Sequence, residues 1–326
     1  MQGWRKSNED AHITSLDFIP GFSLFAVFDG HGGAEVAKYC ANHFVNELKS
    51  DQSFQAQNYE QALITVFCKI DKMLLSPAGK KELDKIGRQD ANSVPGQDYA
   101  YQAGCTANVV LITPTHVYCA NAGDARCVVS QRGQAIELSE DHKPDLPSER
   151  SRVLQAGHMV EDGRVDGIIA ISRAIGDWEY KSANLEPNKM AVSAYPEVRC
   201  YEINPQLDFI ISACDGIWDC MTSQQAIDFV NTAKDKMASY TPVRSPTKVG
   251  GKGRSMGAQA AGKSPPRKGS RSKMESKLEN SINNSRFSGL ATVVEMMMDV
   301  NCPVNLHTTE GLGADNMTAI IIELKK

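Results

Sequence analysis

Strand-length apolar runs that arrive in adjacent pairs, and helical segments that arrive in blocks of two, predict an α+β sandwich. Antiparallel sheets would lie inside and helices outside. With 326 residues, 41% of them hydrophobic, the chain has enough apolar side chains for one large domain or two.

The elements follow in order. Residues 22–28 and 107–112 are short apolar runs, β-branched in part, of buried-strand length. Residues 117–122 and 126–130 bracket Asn121-Ala122-Gly123-Asp124, which reads as a hairpin turn. Strands over 197–202 and 209–214 are joined through Asn204-Pro205, and 318–324 is the last strand. Val36, Tyr39, Cys40, Phe44 and Leu48 recur at helical spacing, predicting a helix over 34–48 with a second over 59–75. A shorter helix over 146–156 stops at Gly157, and 222–236 and 286–301 form the second pair. Residues 78–102 are polar, contain Gly and Pro, and read as a surface loop.

Charge is segregated. Residues 236–286 carry twelve Lys or Arg against two acids, Glu275 and Glu279, a local charge of +10. The whole chain carries −4, so the remainder carries −14. The basic stretch is rich in Gly, Ser and Pro and poor in large apolar residues, and it reads as a disordered insertion in an acidic body. Nine scattered cysteines, with no Cys-x-x-Cys pair, argue against zinc and for a reducing compartment. No signal peptide is visible, and no apolar stretch approaches the ~20 residues a membrane span needs. A soluble protein of the cytoplasm or nucleus is expected.

The chemistry is concentrated in acids at strand ends. Asp29 ends Phe25-Ala26-Val27-Phe28, Asp215 ends Ile210-Ile211-Ser212-Ala213-Cys214, and Asp315 precedes the final strand. An Asp-Gly pair alone is most often a turn, as at Asp162-Gly163 and Asp166-Gly167. Acids ending strands this apolar need partners, because burying an unpaired carboxylate costs several kcal/mol or forces protonation. An all-oxygen, negatively charged set suits Mg²⁺ or Mn²⁺ rather than Zn²⁺. Two such ions generate a hydroxide and clamp an in-line displacement at phosphorus. His31, two residues beyond Asp29, is placed to protonate a leaving alkoxide, although a lone His is more often structural. In the segment Gln2 to His12, spacing alone leaves two readings open. It is either a solvated strand or a phosphate fork at Arg5 with Glu9 and Asp10 holding water.

Taken together, these residues resemble the metal-dependent protein serine/threonine phosphatases of the protein phosphatase 2C type. The resemblance is carried by Gln2-Gly3-Trp4-Arg5, Glu9-Asp10-Ala11-His12 and Phe28-Asp29-Gly30-His31-Gly32-Gly33. Gly104-Cys105-Thr106-Ala107, Asn121-Ala122-Gly123-Asp124-Ala125-Arg126 and Asp141-His142-Lys143-Pro144 follow. Ser172-Arg173-Ala174-Ile175-Gly176-Asp177, Cys214-Asp215-Gly216-Ile217-Trp218-Asp219 and Asp315-Asn316-Met317-Thr318 complete the series in family order. It implies one catalytic domain over the whole chain: a β-sandwich of two antiparallel sheets flanked by pairs of antiparallel helices, with metals in a cleft at one end. It further implies that Asp29 bridges two Mg²⁺ or Mn²⁺ ions, with the Gly30 carbonyl on one and Asp215 and Asp315 on the other. Glu9 and Asp10 would orient water, Arg5 would grip the phosphate, and His31 would be the general acid. Asp124 and Asp219 match the positions of a weaker third metal, Asn316 is expected to support Asp315, and 144–177 matches a flap beside the site. Family members usually have an earlier segment contributing an edge strand, so this chain is expected to be an abridged form that leaves any N-terminal lipidation signal unreadable.

Two competing classes are weighed. A non-catalytic binding module of the same fold predicts loss of a metal acid, and Asp29, Asp215 and Asp315 are all present. A nucleic-acid phosphoesterase predicts aromatics interleaved with the basic residues, and 236–286 holds only Tyr240. The expected substrates are therefore phosphoserine and phosphothreonine proteins, acted on by a monomer. Ser245-Pro246 and Ser264-Pro265 are expected kinase sites, and Ser270 and Ser272 sit among Arg and Lys.

Overall fold

The computed structural model describes residues 1–88, 98–239 and 289–324. Two antiparallel sheets form its centre. The first runs in spatial order Ala11–Ile19, Phe22–Phe28, Ala107–Ile112, His116–Ala122, Glu197–Glu202. The second runs Ala319–Ile322, Leu207–Ala213, Arg126–Gln131, Gln134–Glu137. Period-two alternation sorts each strand between two cores. Phe25 and Val27 face the second sheet, in a core with Val129, Ile210, Ile320 and Ile322. Leu24, Ala26 and Phe28 face the other way, onto the helices Glu35–Ser50 and Tyr59–Met73. The second sheet turns Phe209, Ile211 and Ala213 toward Ser223–Ser239 and Leu290–Asn301. Helix, sheet, sheet and helix thus stack in four layers, as the α+β sandwich requires. Each fully buried phenylalanine, such as Phe28, Phe44 or Phe67, stabilises the fold by roughly 1.5–3 kcal/mol.

Several local expectations need correcting. Asn121 to Asp124 is not a hairpin turn: His116–Ala122 and Arg126–Gln131 belong to different sheets, so this link crosses the sandwich. Gly123 makes the crossing with φ +115, close enough that a Cβ would lie 2.6 Å from the Thr106 side chain. The Asn204-Pro205 link likewise joins strands of different sheets. Within the expected loop 78–102, Pro77–Gly87 is a helix. Ser76 Oγ caps it by accepting from Gly79 N, and Leu83 anchors it in the core. The strand Ala11–Ile19 was not anticipated, because its exposed edge position leaves it without a dense apolar run.

The segment 144–177 is a small unit with its own core. It holds the helix Pro147–Gln155 and the strand pair Val160–Glu161 and Arg164–Val165, packed around Val153, Ile171, Ala174 and Val192. The basic stretch lies outside the described residues from 240 to 286, as do Ser245, Ser264, Ser270 and Ser272. Among the described residues, no helix is long and apolar enough to cross a membrane.

Candidate active site

The strand ends of both sheets meet at one end of the sandwich, and the acids meet with them. Asp29 follows Phe22–Phe28 of the first sheet, with its carbonyl accepting from Thr106 N at 2.9 Å. Asp215 opens the one-turn helix Asp215–Trp218 directly after Leu207–Ala213 of the second sheet. Asp315 lies on the loop before Ala319–Ile322. The resulting cleft, about 1090 Å³, is lined by Arg5, Glu9, Asp29, His31, Asp124 and Asp215, with Gly30 and Asp315 also on its wall. Asp10 and Asp219 do not line it. Asp10 reaches the site through Asp29, and the Asp219 amide donates to the Asp215 carbonyl at 2.8 Å.

Crowding shows in the acid–base properties. Burial, then the charges of Asp215, Asp10 and Asp124, push the Asp29 carboxyl well up. Burial and Asp124 push Asp215 up to about 7. Burial also raises Asp10 and Asp219. Cations meet the rim of this cluster. Arg5 Nη2 donates to Asp315 Oδ2 at 2.5 Å, and the Lys143 ammonium binds the Asp124 carboxylate.

The segment before the first strand is stapled across the site. Glu9 Oε2 accepts from Gly33 N at 3.1 Å and Glu9 N donates to Asn316 Oδ1 at 2.8 Å. The Asn316 amide nitrogen donates to the Gln2 and Ser7 carbonyls. Asn316 therefore supports the N-terminal segment with its side chain, and only its backbone N–H, at 2.7 Å, supports Asp315. Gly30 permits this approach, since a Cβ there would lie 2.4 Å from the Glu9 carbonyl oxygen.

His31 is held from one side. Its Nε2 lies 2.8 and 2.9 Å from the two Asp177 oxygens. Burial presses the imidazole toward its neutral form, but the Asp177 charge and hydrogen bond prevail and raise its pKa. The sequence motifs that contain Asp177 and Lys143 assign neither residue a role. A strand-end Asp after Ala174-Ile175-Gly176 was the available signal, but nothing in the spacing pointed to His31.

The donor set fits divalent cations. Asp10 Oδ1 is buried without a hydrogen-bond partner, while its Oδ2 accepts from Thr318 Oγ1 at 2.7 Å. Asp10, Asp29 and Cys214 place ligand-type atoms within 4.8 Å of one another. Burial pushes the Cys214 thiol well up, and its one S–H has either Asp10 or the Asn316 carbonyl as acceptor, so the thiol form is favoured and the oxygens are the better metal donors.

A sandwich with convergent acids at the strand ends, an anchored His and a rim Arg defines a phosphohydrolase-type site. Comparison with known proteins agrees. The family model "Protein phosphatase 2C" matches residues 1–259. Protein phosphatase 2C 1 of Paramecium tetraurelia is 46% identical over 233 residues, covering 71% of this chain and 75% of that protein. Protein phosphatase 2C homolog 2 of Schizosaccharomyces pombe is 45% identical over 238 residues, covering 71% and 60%. The fold matches the serine-threonine phosphatase 2C of Toxoplasma gondii with a TM-score of 0.59 at 23% identity, covering 72% of this chain and 81% of that one. A second Toxoplasma gondii phosphatase matches with a TM-score of 0.64 at 22% identity over 99% and 90%. The chain belongs to the protein phosphatase 2C family, and it is a serine/threonine phosphoprotein phosphatase, a hydrolase.

Proposed function

We propose that the cleft hydrolyses phosphoserine and phosphothreonine in proteins by in-line attack of water, with His31 as general acid. The observation that carries this reading is the convergence of Asp29 and Asp215 from two different sheets beside His31. Asp29, Asp215, Asp315 and the Gly30 carbonyl would hold two Mg²⁺ or Mn²⁺ ions, with Glu9 and Asp10 orienting water and Asp124 and Asp219 serving a weaker third ion. Such ions, when bound, supply an acidified water and offset charge on the phosphoryl oxygens.

The chain's own groups do the rest. Arg5, with its side chain 61% exposed at the cleft rim, can exchange Asp315 for a substrate phosphate in fork geometry. His31 gives its proton to the departing serine or threonine oxygen, which is too basic to leave as an alkoxide. The buried first turn after Asp215, with Trp218 Nε1 donating to the Ala213 carbonyl at 2.7 Å, keeps that acid's backbone fixed.

His31→Gln is the test. It should slow hydrolysis of a phosphoserine peptide by about 10²-fold or more, and that of p-nitrophenyl phosphate far less, because nitrophenolate leaves unprotonated. Equal losses on both substrates would remove the general-acid role. For the basic stretch, phosphorylation at Ser245 and Ser264 would subtract positive charge and weaken any docking of that stretch on the acidic body. Removing 240–286 should then flatten the salt dependence of activity, and unchanged kinetics at every salt concentration would dispose of that regulation.

A further inference from the structure

Asp177 is anchored in a way that the fold alone does not call for. It sits with φ 51, left-handed for a non-glycine residue, and its side chain is 4% exposed. Asp tolerates this conformation better than most residues, but it is still disfavoured relative to the ordinary helical and extended regions. Its amide donates to the Ala103 carbonyl at 2.9 Å. Just before it, Ile175–Gly176 pairs with Gly104–Cys105, which pairs in turn with Gly30–His31. This three-stranded patch sets Asp177 and His31 on either side of Gly104. A Cβ on Gly104 would lie 2.2 Å from Asp177 Oδ2, so the carboxylate occupies the space that the missing side chain leaves.

A buried ion pair bolts the strap around Asp177 in place. Asp71, on the helix Tyr59–Met73, accepts from Gly176 N at 2.8 Å and from Lys181 Nζ at 2.7 Å through the same Oδ1. The Asp71 carbonyl accepts from Trp178 Nε1 at 3.1 Å. Lys181 Nζ also donates to the Ala174 carbonyl at 2.9 Å, and its side chain is 0% exposed. The strap from 174 to 181 is therefore tied to one point of a helix outside the cleft, on both sides of Asp177. Buried ion pairs add little net stability compared with apolar packing, so stability alone does not explain this one.

We propose that Asp177 is the positioning residue of the general acid, holding His31 by Nε2–H so that the transferred proton is the one on Nδ1, with the Asp71–Lys181 pair acting through Asp177. The inference rests on the general-acid reading of His31. In the step, the Nδ1–H bond breaks as an O–H bond forms on the leaving serine oxygen. That oxygen keeps the electron pair of the broken P–O bond. The imidazolium becomes a neutral imidazole still donating Nε2–H to Asp177.

The experiment measures kcat/KM for a phosphoserine peptide and for p-nitrophenyl phosphate in wild type, His31→Gln, Asp177→Asn and Asp177→Ala. Asn accepts a left-handed backbone, so Asp177→Asn should fold, and an unchanged circular dichroism spectrum and Mn²⁺-induced thermal shift check that it does. Asp177→Asn and Asp177→Ala should lose about 10²-fold on the peptide and less than about threefold on the aryl phosphate. The double variant Asp71→Asn with Lys181→Met should show the same selectivity on a smaller scale, about three- to tenfold on the peptide. If His31→Gln is selective while the Asp177 variants lose equally on both substrates or on neither, the positioning role is overturned. If the double variant alone is unselective, the Asp71–Lys181 part is overturned. Equal losses for His31→Gln would remove the general-acid reading and the inference together.

Discussion

Arg5 and Asp315 form a 2.5 Å ion pair across 310 residues of sequence, joining the chain's first turn to the loop before its last strand. One of these residues is assigned to the substrate and the other to a metal. Under the proposed roles, substrate phosphate would have to compete with Asp315 for the guanidinium. The Asp315 hydrogen bond, set against some loss from burial, raises the Arg5 pKa, so the charge is permanent and only its partner changes.

Arg5→Ala should therefore weaken phosphopeptide binding more than it slows turnover, raising KM by about tenfold or more. Arg5→Lys should recover only part of the loss, since an ammonium lacks the planar fork. Steady-state kinetics on a phosphoserine peptide decide this, and an unchanged KM in Arg5→Ala would remove the phosphate-gripping role.

Metal binding has a stability signature. In metal-free protein, burial and the neighbouring carboxylates push the Asp29 and Asp215 carboxyls up, and Asp215→Asn removes one of these crowded acids. Its metal-free melting temperature should equal or exceed that of wild type. Wild type should gain stability as Mn²⁺ is added, while Asp215→Asn gains far less. Differential scanning fluorimetry with and without Mn²⁺ measures both quantities.

His142 predicts a pH dependence. It is buried, its amide donates to the Gly123 carbonyl while Nδ1 accepts from Gly123 N, and burial together with Arg173 lowers its pKa to about 3. The unfolded value is higher, so the unfolded chain binds the proton first. The contribution is therefore present above about pH 6.5 and is lost as pH falls toward 3. Between pH 7 and 5 this group alone should remove about 2 kcal/mol. Urea denaturation should show a shallower pH slope in His142→Asn than in wild type, and equal slopes would contradict the assignment.

Lys181→Met leaves Asp71 buried and unpaired, at a cost of about 3–5 kcal/mol. Adding Asp71→Leu should restore much of that loss, and the difference between single and double variants in denaturation midpoints measures the coupling.

How much of this was legible in the sequence varies with the physics of each part. Phe22–Phe28 and Ala107–Ile112 were readable to the residue because they are buried on both faces over most of their length and so run apolar apart from Ser23 and Asn108. Ala11–Ile19 was hidden because an edge strand needs only Ala11, Ile13 and Phe18 buried. The crossing at Gly123 looked like a hairpin because a turn and a sheet-to-sheet link use the same residues. Asp29, Asp215 and Asp315 stood out because carboxylates at the ends of apolar strands conflict with burial. Asp177 and Lys143 did not, because their importance lies in contacts with His31 and Asp124, 146 and 19 residues away.

The central claim is that the strand-end acids hold the metal that drives phosphoester hydrolysis. Its most direct test is hydrolysis of a phosphoserine peptide by wild type and Asp215→Asn, titrated with Mg²⁺ or Mn²⁺ after chelation. Wild type should be inactive without metal and restored by it, and Asp215→Asn should remain at least about 10²-fold slower at saturating metal. Full activity in chelator, or an Asp215→Asn enzyme as fast as wild type, would contradict it.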